Sequence, residues 1–366
     1  MKIENMAINS RFLLCFLILC LTTTCCYGNI CLPRNHAALF VFGDSYFDVG
    51  NNNYFITPIQ GIRKPYGETF FKYPNGRFSD GRVIPDFIAE YAKLPLTLPY
   101  LFPGNQRYID GANFASAGAG ALVETHKGMV IDLKSQLAGF KSVSKKLRKE
   151  LGDIEAKRFL SRSVYLFNMG ANDYNVLVVE KRNAYSTMKF VDMVIGNQTS
   201  VVKDIYKLGG RKFGFLGVGP LGCHPLRRVF VNGSTGSCLE DAQMMAKQHN
   251  TALSVALKKL ERQLKGFKYS FTNFNDLVLE VMFHPSKYGF KEGEVACCGS
   301  GPYRGQLSCG RGTLMKDYYL CDNPNEHVFF DYTHPTEKAA QVYAKQMWSG
   351  STKFTGPYNL KKLFED

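Results

Sequence analysis

The sequence predicts an α/β fold in which a mainly parallel sheet is covered by helices. Four short apolar runs each lead into a turn rich in Gly, Asn or Asp, the pattern of a buried strand that ends in a loop. A helix-like stretch separates each run from the next, as in folds that alternate strand and helix. The four runs are residues 37–42, 164–167, 212–218 and 269–274.

Three of the intervening stretches show helical periodicity. Residues 253–264 carry a leucine every three or four positions before the stop at Gly266, and residues 191–208 end similarly before Gly209. Residues 140–154 place apolar side chains at helical spacing with lysines between them. A polyanion-binding helix is one interpretation of this third stretch, but a solvated amphipathic face is favoured.

Composition and charge narrow the class of protein. The chain has 366 residues, 45% of them hydrophobic, and a formal net charge of +14, which excludes a coiled coil or a disordered chain. No repeat, low-complexity tract or long linker marks a boundary, so a single domain is predicted. The excess of Lys and Arg is compatible with nucleic acid, an anionic cell-wall polymer or a membrane surface as a partner and selects none of them.

The N-terminal residues have the pattern of a secretory signal peptide. Residues 12–21 form an unbroken apolar run of 10 residues, shorter than the about 20 that a membrane span needs. Cleavage after Gly28 would remove residues 1–28 and leave residues 29–366 as a single domain of net charge +13; a cut nearer Thr24 is the alternative. No later stretch is long and apolar enough to span a bilayer, so the expected destination is extracellular.

The cysteines and glycosylation sequons are consistent with secretion. Seven of the 11 cysteines remain after cleavage, so at least one thiol is unpaired in a monomer. Cys223 and Cys238 would close a short loop. A later cluster is expected to form disulfides and not a zinc site, because no second ligand pair accompanies it. Sequons at Asn197 and Asn232 predict glycan acceptors. The later cluster consists of Cys297, Cys298, Cys309 and Cys321.

Ser45 is the candidate nucleophile. It follows the first apolar run in FVFGDSYFDVGNNN, where Gly43 permits a tight turn that can lift a hydroxyl above the sheet edge. A serine in such a turn more often caps a helix, so this position alone is weak evidence. No GxSxG pentapeptide is present, which excludes the nucleophile elbow of an α/β-hydrolase.

His334 is the candidate general base. It lies three residues after Asp331 in DYTHPTE, and Pro335 can open the following helix. From one loop, His334 can reach a serine hydroxyl with one ring nitrogen while Asp331 accepts from the other. The remaining histidines lack this pairing and are expected to be surface or packing residues. They are His36, His126, His224, His249, His284 and His327.

Acyl transfer also needs donors for a developing oxyanion, and two middle segments offer them. Asn172, in NMGAND, follows a predicted strand and carries a carboxamide N–H. Gly118, in GANFASAGAG, can contribute a backbone N–H. Either motif alone is compatible with a structural role.

Four blocks in this order, GDSYFDVGNNN, GANFASAGAG, NMGAND and DYTHPTE, resemble the plant GDSL-type esterase/lipase family of the SGNH hydrolases. The segment GVGPLGCHP and the late cysteine region are also similar to that family, so the resemblance covers essentially the whole mature chain. Two departures are visible: Tyr46 replaces the Leu that names the motif, and Phe330 stands where the family often has Trp.

The resemblance implies a three-layer α/β/α flavodoxin-like fold and an acyl-enzyme mechanism without metal or organic cofactor. Ser45 matches the nucleophile, His334 the base and Asp331 its partner. The implied oxyanion donors are the backbone N–H groups of Ser45 and Gly118 and the side chain of Asn172. Expected substrates are small-molecule or lipid esters, and nucleic acid is not an expected partner.

The expected function is ester hydrolysis by a secreted, apoplastic enzyme. One alternative keeps the acyl-enzyme and passes the acyl group from Ser45 to an alcohol, since the same residues serve both reactions. The other is a secreted defence or cell-wall-binding protein whose basic surface engages pectin or a microbial membrane. The intact catalytic blocks favour an enzyme.

Overall fold

The computed structural model describes residues 24–27, 30–33, 36–104, 107–179, 186–229, 237–310 and 318–365. The largest sheet has six strands in the order β10-β7-β6-β5-β3-β4. Strands β10 and β7 pair antiparallel, and all other neighbours in this sheet are parallel. The strands are β1 (Thr24–Tyr27), β2 (Ile30–Pro33), β3 (Leu39–Gly43), β4 (Gly111–Asn113), β5 (Val164–Asn168), β6 (Lys212–Leu216), β7 (Lys268–Thr272), β8 (Cys298–Gly299), β9 (Tyr319–Leu320) and β10 (Thr355–Pro357).

The sheet order confirms the predicted fold class. Taken in chain order, the five parallel strands run second, first, third, fourth, fifth across the sheet, which is the flavodoxin-like arrangement. The order reverses between β3 and β5, and ligands in such folds bind beyond the carboxyl ends of the strands at this switch point. All four predicted strand runs form strands in this sheet.

Helices cover both faces of the sheet. One apolar cluster joins α2, α3, α5 and α7 to one face, and a second joins α1, α8, α9 and α10 to the other. The helices are α1 (Ile84–Tyr91), α2 (Leu133–Leu151), α3 (Asp153–Arg162), α4 (Ala171–Val179), α5 (Thr187–Leu208), α6 (Pro225–Arg228), α7 (Glu240–Gln263), α8 (Phe274–Phe283), α9 (Glu337–Ser349) and α10 (Leu360–Glu365). The result is the expected three-layer α/β/α architecture.

Aromatic rings stack across neighbouring strands on one face of the sheet. The ring of Phe167 on β5 lies 4.9 Å from that of Phe42 and 5.3 Å from that of Phe215, between centroids. The parallel register places these three residues opposite each other. Because both faces of a parallel sheet are buried, its strands appear in the sequence as continuous apolar runs.

The structure differs from the sequence expectations at several elements, and three of these differences concern the six-stranded sheet and its helices. Strands β4 and β10 were not predicted, and each has three residues. Residues 140–154 do not form one helix: α2 ends and α3 begins at Gly152, whose φ of 78° departs from helical geometry. Ile154 is consequently 73% exposed and does not lie on the buried face of α2, so that expectation was wrong.

Within the described residues, three disulfides confirm that the later cysteines are bridged, as expected. Cys223 pairs with Cys238, and the later cluster forms two bridges. These two bridges join Cys297 to Cys321 and Cys298 to Cys309. Both are buried in a small apolar cluster that also contains Tyr66 and Phe330.

Most of the predicted signal peptide lies outside the described residues, as do the predicted cleavage position Gly28 and the sequon at Asn232. Strands β1 and β2 pair antiparallel on either side of that position. In the described part of the chain, no helix combines the length and apolar character that a membrane span requires. Asn197 lies within α5 and is exposed, with Nδ2 donating to the Met193 carbonyl at 2.9 Å.

The aromatic stack gives a stability prediction. Phe167→Ala should lower the free energy of unfolding by about 3–5 kcal/mol, because it opens a cavity at a position that is 1% exposed. Ile154→Ala, at an exposed apolar position, should change it by less than about 0.5 kcal/mol. Denaturant unfolding of both variants provides the measurement. Equal losses would contradict the placement of Phe167 in the core.

Candidate active site

Ser45 lies in the turn that follows β3, at the carboxyl edge of the sheet. The backbone amides of Phe47 and Asp48 donate to the Asp44 carbonyl at 3.0 and 2.9 Å and close this turn around Ser45. Ser45 is partly exposed, whereas Asp44 beside it is buried. The hydroxyl is therefore presented at the surface of a rigid turn.

Gln136 on α2 fixes the residue that leads into this turn. Its Oε1 accepts from the Gly43 amide, and its Nε2 donates to the Gly43 carbonyl, both at 2.9 Å. A Cβ at Gly43 would lie 2.8 Å from the Asn168 carbonyl oxygen on β5, so glycine is required there. Sequence reasoning identified Gly43 but not Gln136, which is 93 residues away.

The structure brings together the three residues predicted to act as nucleophile, base and carboxylate partner. Ser45 Oγ lies 2.8 Å from His334 Nε2, and His334 Nδ1 lies 2.8 Å from Asp331 Oδ2. With the ring proton on Nδ1, His334 donates to Asp331 and accepts from the Ser45 hydroxyl. His334 and Asp331 are buried, so water is excluded from the Asp331 end of this series of hydrogen bonds.

The Asp331 carboxylate is held by further donors. Its Oδ1 accepts from the backbone amides of Thr333 at 2.9 Å and His334 at 2.8 Å, and its Oδ2 accepts from the Tyr66 hydroxyl at 2.7 Å. Burial alone would raise the pKa of Asp331, but the charge and hydrogen bonds of His334 outweigh it, so this pKa lies below its usual value. Tyr66 was not identified from the sequence.

Two side chains hold the loop between Asp331 and His334. The Tyr46 hydroxyl donates to the Thr333 carbonyl at 2.7 Å, and the Thr333 hydroxyl lies 2.9 Å from His224 Nδ1. Tyr46, the departure from the family motif, therefore links the nucleophile turn to the histidine loop. Burial, with the nearby charge of His334, lowers the pKa of His224 to about 3, so His224 is neutral.

His224 was expected to be a surface or packing residue. It is buried, and it contacts the histidine loop directly. The sequence signal was only a histidine before a proline, which carries no information on a partner 109 residues away.

Gly118 lies in a loop that buried carboxylates hold beside the Ser45 turn. The Ala117 amide donates to Asp48 Oδ2 at 2.9 Å, and the Ala121 amide donates to Asp173 Oδ2 at 2.8 Å. Gly118 has a φ of 82°, and a Cβ there would lie 2.7 Å from Ile59 Cδ1, so both conformation and space favour glycine.

The backbone amides of Ser45 and Gly118 are available for an oxyanion. Within the residues that the structure describes, neither amide donates to a protein acceptor. The Ser116 amide donates to the Gly43 carbonyl at 3.0 Å and ties the glycine loop to the nucleophile turn. One backbone donor without a protein acceptor is therefore present in the nucleophile turn, and another in the glycine loop tied to it.

Asn172 lies in the first turn of α4, beyond β5. Its Nδ2 donates to the Ala119 carbonyl at 3.0 Å and faces Asp44 Oδ2 at 3.4 Å. The second distance is longer than an ordinary hydrogen bond, so the N–H on that side can turn to a stronger acceptor. The predicted donor thus lies between the nucleophile turn and the glycine loop.

Three buried carboxyl groups around the site have raised pKa values. Burial raises the pKa of Asp44 to about 7, and the pKa values of Asp48 and Asp173 to about 6. Asp48 and Asp173 each accept several hydrogen bonds, whereas Asp44 receives one short contact, from the Tyr46 amide at 3.1 Å. Of the three carboxyl groups, Asp44 therefore has the fewest hydrogen bonds to offset the cost of its burial.

A flavodoxin-like sheet with a Ser-His-Asp hydrogen-bonded chain at its switch point has the geometry of a serine hydrolase. A family model described as GDSL-like Lipase/Acylhydrolase matches residues 39–347. GDSL esterase/lipase 1 of Arabidopsis thaliana is 49% identical over 99% of each chain. GDSL esterase/lipase 5 of the same plant is 49% identical over 91% of this chain and 88% of its own. A GDSL lipase of Tanacetum cinerariifolium is 46% identical over 100% of this chain and 96% of its own.

The chain belongs to the GDSL-like lipase/acylhydrolase family, and it is a carboxylic ester hydrolase. The resemblance based on four sequence blocks is thereby confirmed across nearly the whole chain.

Asp44 gives a prediction about stability and pH. Because its pKa is raised in the folded state, the folded protein holds this proton more tightly than the unfolded chain. The contribution of Asp44 to the free energy of unfolding therefore falls as the pH rises from about 4 to about 7. Asp44→Asn removes this titration and should reduce the loss between about pH 5 and about pH 8 by up to about 3 kcal/mol.

Denaturant unfolding at both pH values measures the effect. Asp192→Asn, which changes an exposed carboxylate on α5, is the matched control and should keep the wild-type pH dependence. An unaltered pH dependence in Asp44→Asn would show that Asp44 is already ionised at the lower pH.

Proposed function

We propose that this chain is a secreted serine esterase/lipase that hydrolyses carboxylic esters through an acyl-enzyme on Ser45. The observation that carries the proposal is the continuous hydrogen-bonded chain from Ser45 Oγ through His334 to Asp331, with both links at 2.8 Å. A serine hydroxyl is a weak nucleophile until an adjacent base accepts its proton. This contact supplies that base.

In the first half-reaction, His334 Nε2 takes the hydroxyl proton as Ser45 Oγ attacks the ester carbonyl. The negative charge that develops on the carbonyl oxygen is stabilised by the amides of Ser45 and Gly118 and by Asn172 Nδ2. His334 then gives the proton to the leaving alcohol, which departs as the acyl-enzyme forms. Asp331 stabilises the imidazolium and stays ionised throughout.

In the second half-reaction, water repeats the same steps on the acyl-enzyme. His334 removes a proton from water, the hydroxide adds to the acyl carbonyl, and the carboxylic acid leaves as Ser45 recovers its proton. The residues of this chain suffice for every proton transfer.

The proposal places this hydrolase outside the cell. The apolar N-terminal run supports export, and disulfides such as the two buried bridges of the later cysteine cluster are typical of proteins from an oxidising compartment. Asn197 and Asn232 stay predicted glycan acceptors.

The nucleophile is tested with Ser45→Ala. This variant should fold, lose ester hydrolysis and lose labelling by a fluorophosphonate probe, because the probe reacts only with an activated serine. Ser142→Ala, an exposed serine on α2, is the control and should keep both properties. Labelling of folded Ser45→Ala at the wild-type rate would assign the nucleophile elsewhere.

The oxyanion role is tested with Asn172→Ala. Loss of one oxyanion donor typically lowers kcat by about 100- to 1,000-fold, and the thermal midpoint should change little. Asn325→Ala, which removes the same side chain at an exposed position, is the control. Full activity in folded Asn172→Ala would remove this residue from the mechanism.

Product analysis with an added alcohol reports whether water or the alcohol takes the acyl group from the acyl-enzyme.

A further inference from the structure

The segment that follows β6 packs against the histidine loop. The Leu226 amide donates to the Tyr332 carbonyl at 2.9 Å, and His224 contacts Thr333. The bridge from Cys223 to Cys238 anchors the segment at its start. Side chains on α6 are therefore held at a fixed position beside the candidate catalytic centre.

Arg227 on α6 spans the gap between the histidine loop and the helix that carries Asn172. Its Nη2 donates to Asn175 Oδ1 at 2.8 Å. Asn175 follows Asn172 by three residues on α4, so the two side chains lie on one face of that helix, about one turn apart. Asn175 is partly exposed, whereas Arg227 is buried, so the pair runs from the protein interior toward the surface beside the first turn of α4.

Among the described residues, the guanidinium of Arg227 has no counter-charge. Arg227 is 6% exposed, and its Nε is buried without an acceptor. No carboxylate of the described residues lies within ion-pair distance of it. The two other buried arginines in these ranges are paired, Arg77 with Asp86 at 2.8 Å and Arg228 with Glu294 at 3.1 Å.

An uncompensated buried cation is unusual, because burial of a charge is costly unless a partner neutralises it. Burial lowers the pKa of Arg227, and the neighbouring His224 is neutral and supplies no negative charge. A guanidinium stays protonated under such conditions, so the charge persists. No acidic side chain of the described residues neutralises it.

We propose that Arg227 forms a subsite for an anionic group, a carboxylate in the simplest case, carried by the ester that Ser45 cleaves. The subsite rests on the proposed esterase function. A planar guanidinium matches the geometry of a carboxylate and forms charge-assisted hydrogen bonds to it. Asn175 orients the guanidinium by occupying one of its N–H groups. The preferred substrates are therefore esters that carry an acid a short distance from the scissile bond.

The test uses matched ester pairs in which a carboxylate replaces a methyl group. On the acyl side these are the mono-para-nitrophenyl ester of adipic acid and para-nitrophenyl hexanoate. On the alcohol side they are para-acetoxybenzoate and para-tolyl acetate. Wild-type protein should have a higher kcat/KM for the acid member of at least one pair. Spontaneous hydrolysis is subtracted for each ester.

Arg227→Gln should raise KM for the preferred acid ester by about ten- to a hundredfold, because a hydrogen bond to a charged group is lost. Its kcat/KM for the neutral partner should stay within about twofold. Arg227→Lys keeps the cation and should keep part of the preference. Lys258→Gln removes the same charge from the exposed face of α7 and should change neither ester, which separates the subsite from general steering by a basic surface.

Equal losses on both members of a pair in Arg227→Gln would overturn the subsite and leave Arg227 as a structural link to Asn175. A wild-type protein with no acid preference in either pair would overturn it without any variant. Both results leave ester hydrolysis intact. Failure of the proposed function has a different signature, since wild-type protein would then cleave none of the four esters faster than Ser45→Ala.

Discussion

The close approach of β3 to β5, at the switch in strand order, is the constraint on which the candidate site depends. Gly43 ends β3 opposite Asn168, and no side chain fits between them. Gln136 satisfies both backbone groups of Gly43, so the chain enters the Ser45 turn in one conformation. The loop that carries Gly118 is tied to the same carbonyl of Gly43 through the Ser116 amide. The proposed nucleophile and the loop that carries a proposed oxyanion donor are therefore both fixed through Gly43.

Two buried carboxylates position the glycine loop, which is not part of the sheet. Asp48 and Asp173 accept from backbone amides at either end of the glycine loop, and neither forms an ion pair with a described residue. Burial of a carboxylate is unfavourable even when it is hydrogen-bonded, which is why both pKa values are raised. A loop held by apolar packing alone would avoid this penalty but would not fix the direction of its amides. The site thus trades stability for the orientation of donors.

What the sequence predicts well is local. Ser45 lies in a short motif directly after a strand-like run, and Asp331 and His334 share one short motif, so local sequence suffices to name them as candidates. The strands of the sheet core are equally visible, because burial on both faces makes them apolar throughout. Tyr66 carries no such signal, since its partner Asp331 is 265 residues away and only folding brings the two together. Strands of three residues, such as β4, are too short to show a period, and a single residue, Gly152, divides an apolar pattern that otherwise looks continuous.

Asp331 and Asp44 have opposite pKa shifts although both carboxyl groups are buried in the same site. Both carboxyl groups are at most 1% exposed and lie in the same site, so burial pushes both pKa values upward. Asp331 accepts from His334, from two backbone amides and from Tyr66, and its pKa falls below the usual value. Asp44 has one short donor and a long contact to Asn172, and its pKa rises to about 7. Asp331, which is proposed to stabilise an imidazolium, is thereby kept ionised. Asp44, which lies beside the proposed oxyanion donors, holds its proton into the neutral range and would add less negative charge where an oxyanion develops.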